Sequence, residues 1–138
     1  MIGLDTNVLV RYITQDDARQ SLKASEIIES LDNEHSAYIS TISLVELVWV
    51  LSRAYKVQKQ ELCNVLESLL QIRFLIIEDA EMVWKALRAY KSGMADFADC
   101  LIIQSSINAE CSSFMTFDVK ASKYVGGSTE LFKVNLLK

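Results

Sequence analysis

A chain of 138 residues, 51% apolar and 23% charged, has the composition of one globular domain with a single core, which excludes a disordered chain. Its net charge of −4 excludes a general nucleic-acid coating protein, which would be basic overall, but leaves room for a nuclease whose acids gather around metal ions. Met1 to Val10 carry no basic leader and meet an acid at Asp5, so they do not read as a signal peptide; no apolar run reaches ~18 residues without a charge, so no membrane span is expected.

Ile2 to Leu4 reads as a short strand that stops at Asp5. Asp17-Ala-Arg-Gln20 has the D-x-x-Q spacing of a capping box and opens a helix to about Leu31. Ala37 to Thr41 is strand-like; Ser43 then leads into LVELVWVLSRAY, whose apolar residues recur at helical spacing. Lys59 to Ile72 is another amphipathic helix and Phe74 to Ile77 a β-rich run. Asp79 is expected to cap a helix through Tyr90 that stops near Gly93, taken as a left-handed residue. Ala95 to Ala109 is a further helix, Ser113 to Phe117 a strand ending at Asp118, and Phe132 to Leu136 the last strand. Strands separated by helices imply an α/β fold with a central parallel sheet and helices on both faces. With no proline, repeat or low-complexity linker, residues 1–138 are expected to form a single domain.

Cys63, Cys100 and Cys111 are odd in number and each falls in a helical pattern, which suits buried free thiols in a reducing cytoplasm. His35 stands alone in the polar stretch Asp32-Asn33-Glu34-His35-Ser36 and reads as a solvated loop residue. A Ser-His-Asp triad or a multi-His zinc site has too little to draw on.

The acids carry more information. In open α/β sheets the functional crevice lies at the carboxyl ends of the strands. Asp5 and Asp118 each end a strand, and parallel central strands would bring them to one edge. Glu46 interrupts a segment apolar on nearly every side and is expected to be partly buried, where an ionised carboxylate needs a partner. Asp96 and Asp99 are three apart at a helix start. Each also has a structural reading: Asp96 as an N-cap, Asp99 as a favourable first-turn charge, Asp5 and Asp118 as the starts of turns. Two carboxylates about 4 Å apart repel by ~4 kcal/mol at an effective dielectric near ~20, so four gathered without compensation take up protons or bind cations. Oxygen-only ligands suit Mg²⁺ or Mn²⁺, which activate water and stabilise the oxygens of an in-line phosphoryl displacement. The residues by themselves thus lead to a metal-dependent phosphodiesterase.

Leu4-Asp5-Thr6-Asn7-Val8-Leu9, Ser43-Leu-Val-Glu46-Leu, Asp96-Phe-Ala-Asp99-Cys-Leu-Ile and Thr116-Phe-Asp118, in that order and spacing, resemble the PIN-domain nucleases, and most of all the VapC toxins of bacterial toxin-antitoxin pairs. The resemblance spans nearly the whole chain and implies a three-layer PIN-like fold. It implies metal-binding, catalytic acids at Asp5, Glu46, Asp99 and Asp118, with Asp96 matching an acid found in only part of the family. Thr6, Asn7 and Thr116 match polar positions that orient the acids or the attacking water. It further implies a Mg²⁺ or Mn²⁺ cofactor, cleavage of single-stranded RNA, often tRNA, inhibition of translation, a homodimer, and a cognate VapB-like antitoxin that blocks the site.

Three other readings stay open at this point. A PIN nuclease could serve RNA processing outside a toxin-antitoxin pair. An aspartyl-phosphate enzyme would also put an acid at a strand end, although Asn7 stands where the dehalogenase pattern expects a second Asp. A binding module could keep the fold without the chemistry. Trp49, Tyr55, Leu62, Leu66 and Leu69 could line a groove for a partner helix or simply fill the core.

Overall fold

The computed structural model describes residues 1–125 and 132–138. The chain runs β1 (Ile2–Gly3), α1 (Thr6–Thr14), α2 (Ala18–Glu29), β2 (Ala37–Ile39), α3 (Thr41–Arg53), α4 (Lys59–Gln71), β3 (Leu75–Ile77), α5 (Ala80–Ser92), α6 (Phe97–Asn108), β4 (Ser113–Thr116), α7 (Val119–Ser122) and β5 (Lys133–Leu136). This alternation, with parallel strand pairing throughout the described residues, is the α/β class that the sequence implies. The backbone divides into two compact units, Met1–Ala80 and Glu81–Lys138.

In the first unit the strands lie in the order β1-β2-β3, with Ile2 opposite Ala37 and Ala37 opposite Leu75. Leu4 continues the ladder by donating its N–H to the Tyr38 carbonyl at 2.9 Å. Side chains alternate as strand geometry requires: Leu75 and Ile77 are buried while Ile76 faces out. The helices bury one face each, Leu9 and Val10 from α1, Ala24 and Ile28 from α2, Leu44, Leu47 and Leu51 from α3, and Leu62, Leu66 and Leu69 from α4. Those three leucines of α4 are therefore core, whereas Trp49 is 61% exposed.

Helix α1, which the sequence reading did not pick out, begins where Asp5 caps it and stops at Gln15 in the left-handed conformation, φ 54°. Its end is anchored to α2 and to Tyr55, which follows α3. Arg11 Nη1 meets Asp16 Oδ1 at 2.9 Å, Arg11 Nε donates to Gln20 Oε1 at 2.7 Å, and the Tyr55 hydroxyl donates to Asp16 Oδ2 at 2.6 Å. Tyr55 is thus engaged at this corner. The expected capping box is half made: Asp17 accepts from the Gln20 N–H at 2.8 Å, but the Gln20 side chain turns to Arg11.

In the second unit β4 pairs with β5, Ser113 opposite Lys133, and α7 packs against both strands. Tyr90 and Phe97 meet edge to face with ring centres 5.8 Å apart. The Tyr124 hydroxyl donates to the buried Gln104 Oε1 at 2.8 Å, and burial pushes that phenol up to about 12.

Several local expectations are corrected. The strand from Ala37 ends at Ile39, because Ser40 caps α3 by accepting from the Ser43 N–H at 3.1 Å and Thr41 is already helical. Asp79 precedes α5 with φ 49°, a left-handed turn rather than an extended cap. Gly93 is not left-handed; it lacks a side chain because a Cβ there would lie 2.8 Å from Val125 Cγ2 and 3.1 Å from the Ala89 carbonyl. Cys63 and Cys100 are buried free thiols, but Cys111 lies past the end of α6 and is exposed. No helix among the described residues is long and apolar enough to cross a membrane.

The Asp16 corner has a defined pH signature. Hydrogen bonds from Tyr55 and Thr14, with the charge of Arg11, hold the Asp16 carboxyl down at about 2 against an ordinary 3.8. A depressed folded-state value means the carboxylate stabilises the fold above the ordinary value, and that contribution is lost as pH falls through about 2. Asp16→Asn is therefore expected to melt below the wild type at neutral pH, with the gap closing toward pH 2. Thermal melts across that range decide it; a gap independent of pH would mean the carboxylate charge plays no part.

Candidate active site

In the first unit the candidate residues meet where β1 turns into α1. Asp5 is extended, φ −78° and ψ 156°, and its Oδ1 accepts from the Thr6 N–H at 2.8 Å, satisfying one of the donors a helix start leaves open. Thr6 is buried, and its hydroxyl donates to Glu46 Oε2 at 3.0 Å, tying the start of α1 to the middle of α3. Asn7 follows on the exposed side of the first turn.

Glu46 is exposed, not partly buried as its apolar window implied. Helix α3 turns Leu44, Leu47 and Leu51 inward, and Ile42, Glu46 and Trp49, at spacings of four and three, share the opposite face. Ile42 is 70% exposed there. The apolar run therefore covers two faces, of which only one is core, and what orients Glu46 is the Thr6 hydroxyl.

In the second unit Asp96 occupies the N-cap position of α6, yet its side chain makes no capping hydrogen bond. Asp99 sits half-buried in the first turn of that helix. Asp118 follows β4 and caps α7, its Oδ1 accepting from the Ala121 N–H at 3.1 Å. The Asp118 N–H in turn donates to Thr116 Oγ1 at 2.9 Å, so Thr116 holds the backbone that carries the acid. Asp99 registers its neighbours. Partial burial pushes its carboxyl above the usual range, and the negative charges of Asp118 and then Asp96 push it in the same direction.

The candidate acids of each unit offer only carboxylate oxygens, the donors that suit a hard divalent cation, and the ion pairs Arg11–Asp16, His35–Asp32 and Lys85–Glu81 engage other carboxylates. Among the described residues no three acids, histidines or cysteines form a group that could enclose a metal ion. His35 is exposed and pairs with Asp32 across 2.9 Å, the solvated loop histidine the sequence implied.

The model of the PIN domain family matches residues 2–126, and the chain belongs to that family, an α/β class of nuclease domain. Within it the chain is similar to the VapC ribonuclease of Aquifex aeolicus (strain VF5), 22% identical over 98 residues that make up 71% of this chain and 73% of that protein.

The raised Asp99 carboxyl predicts a stability effect of definite sign. A folded-state value above the unfolded one means that ionised Asp99 opposes folding, by an amount that grows as pH rises from the ordinary 3.8 through the raised value. In metal-free solution Asp99→Asn should therefore melt above the wild type at neutral pH, the advantage shrinking as pH falls through the raised value and gone below the ordinary 3.8. A destabilised Asp99→Asn at neutral pH would show that its carboxylate is compensated.

Proposed function

We propose that this chain is a divalent-metal-dependent endoribonuclease of the VapC kind, which cleaves single-stranded RNA or tRNA loops, inhibits translation, and is neutralised by a cognate VapB-like antitoxin. Family membership and the similarity to a VapC ribonuclease support the class. The observation that supports the metal-dependent reading is Asp99, whose carboxyl is raised first by partial burial and then by the charges of Asp118 and Asp96, with no opposing cation among the causes.

In this reading Asp5, Glu46, Asp99 and Asp118 are the catalytic acids that hold Mg²⁺ or Mn²⁺, and Asp96 adds negative charge beside Asp99. Such an ion, when bound, supplies an activated water and charge stabilisation for in-line phosphodiester hydrolysis. The protein's own part is positional. Thr6 fixes the Glu46 carboxylate, Thr116 fixes the Asp118 backbone, and Asn7 at the exposed first turn orients water or substrate. The caps made by Asp5 and Asp118 each engage Oδ1, so each carboxylate keeps its second oxygen for a ligand.

Purified protein with Mn²⁺ is expected to cut a mixed pool of tRNA and unstructured RNA. Asp5→Ala and Asp99→Ala should abolish cleavage while the fold survives, since a lost cap costs only ~1 kcal/mol. Asp96→Ala should slow the reaction less. Saturating Mn²⁺ at about 100 times its dissociation constant should stabilise the wild type by ~2.7 kcal/mol and Asp99→Asn by much less. Intact RNA after incubation with inhibitor-free protein would overturn the nuclease reading.

The toxin assignment adds a homodimer and a small partner. An acidic site attracts an arginine, whose planar fork can bridge two carboxylates and so compete with metal. Co-expression with the small protein encoded next to it should give a complex by size-exclusion chromatography whose inhibition weakens as Mn²⁺ rises. A monomer indifferent to that protein would leave a PIN nuclease with another task in RNA metabolism.

A further inference from the structure

Helices α1 and α2 enclose a groove of about 430 Å³ lined by Asn7, Val8, Arg11, Gln20, Lys23, Ala24 and Ile27. The helical period explains the lining: positions 7, 8 and 11 share one face of α1, and 20, 23, 24 and 27 share one face of α2. Val8, Ala24 and Ile27 make it apolar in part, while Arg11 and Lys23 bring two cations and Asn7 and Gln20 two amides. Its size falls within the ~300–1,000 Å³ of small-ligand sites.

The two cations differ in kind. Arg11 is held in place: its Nε donates to Gln20 Oε1, and its Nη1 meets Asp16 Oδ1 at 2.9 Å and Tyr55 Oη at 3.3 Å. Those bonds leave the Nη2 donors for a ligand. Lys23 is exposed on α2 and lines the groove across from α1. In a chain of net charge −4, two cations and two amides around one partly apolar groove suit an anionic ligand with an apolar body. The groove also begins at Asn7, two residues from Asp5, so whatever fills it lies beside the start of α1 that carries the candidate acid.

We propose that this groove seats one nucleotide of the RNA strand beyond the cleaved position, with its phosphate on Arg11 and Lys23 and its sugar or base against Val8, Ala24 and Ile27. The proposal rests on the nuclease reading above and adds to it where the strand runs. Lys23 supplies a mobile point charge, and Arg11 a pre-set one whose partial neutralisation by Asp16 leaves Lys23 as the dominant phosphate contact.

The test is the salt dependence of binding, measured by fluorescence anisotropy with a labelled unstructured RNA oligonucleotide and Mg²⁺, in an Asp99→Asn background that does not cut it. One lost phosphate contact on a single strand makes the log–log salt slope shallower by ~0.7. Lys23→Ala should show that change, so that its affinity deficit is about threefold larger at 50 mM than at 200 mM salt. Lys23→Arg should restore the slope and Lys23→Glu should weaken binding further. Lys56→Gln, outside the groove, serves as a control for net charge and should leave the slope nearer the parent's. If the parent binds RNA and Lys23→Ala and Lys23→Glu keep its slope and affinity, the groove is not on the RNA path and is left as a surface for a protein partner. A parent that binds no RNA overturns the nuclease reading itself and this proposal with it.

Discussion

A helix that starts directly after a parallel strand leaves backbone N–H groups that nothing within the helix can satisfy, and this constraint places two of the candidate acids of this protein. After β1 the need is met by Asp5, after β2 by Ser40 and after β4 by Asp118. Two of these three caps are candidate catalytic acids. The structural and the functional reading of a strand-end acid are therefore not alternatives here. The capping bond engages one carboxylate oxygen and fixes the side chain by the start of a helix, where partial positive charge favours the anion. Asp96 occupies the corresponding place before α6 without making the bond, which sets it apart as an acid whose side chain the helix start does not use.

Four carboxylates, Asp16, Asp32, Glu78 and Asp99, are pushed in opposite directions by their surroundings. Asp16 is drawn down by Tyr55, Thr14 and Arg11, Asp32 by His35, and Glu78 by the backbone and hydroxyl of Thr41, which it holds at 2.9 Å through both groups. All three serve the fold: each accepts hydrogen bonds that close a loop or begin a helix. Asp99 goes the other way, raised by burial and by its acidic neighbours. A carboxylate that folding leaves uncompensated costs stability, and such a cost is characteristic of sites kept for chemistry. Asp16 thus serves the scaffold, whereas Asp99 is a candidate acid whose surroundings oppose its charge.

The α3 helix illustrates how a single element serves both purposes. Its inward leucines build the first unit, while its outward face carries Glu46 between Ile42 and Trp49. The carboxylate is oriented by Thr6, a residue that is itself buried and so cannot move independently of the β1–α1 junction. Two distant segments of sequence are thereby coupled through one hydroxyl.

The sequence by itself determined the alternation of strands and helices, because the periods of apolar residues and the capping side chains are local: α2 behind Asp17, the leucine faces of α3 and α4, and the strand before Asp118 are all legible in windows of a dozen residues. It also carried the order of acids and polar residues that resembles the PIN domain, and the family match over residues 2–126 agrees with it. Helix α1 escaped because its stop is Gln15 in a left-handed conformation, with no glycine or proline to mark it. Glu46 is exposed although its window is apolar, because such a window does not say which of its faces meets the core; packing of the leucines decides that. What excludes a side chain at Gly93 is not a left-handed backbone but contact with Val125, thirty-two residues away along the chain. The Thr6 bond to Glu46, the mutual repulsion at Asp99 and the groove between α1 and α2 exist only once residues remote in sequence are brought together. Their energies depend on distance and burial, and neither quantity is written in the local pattern.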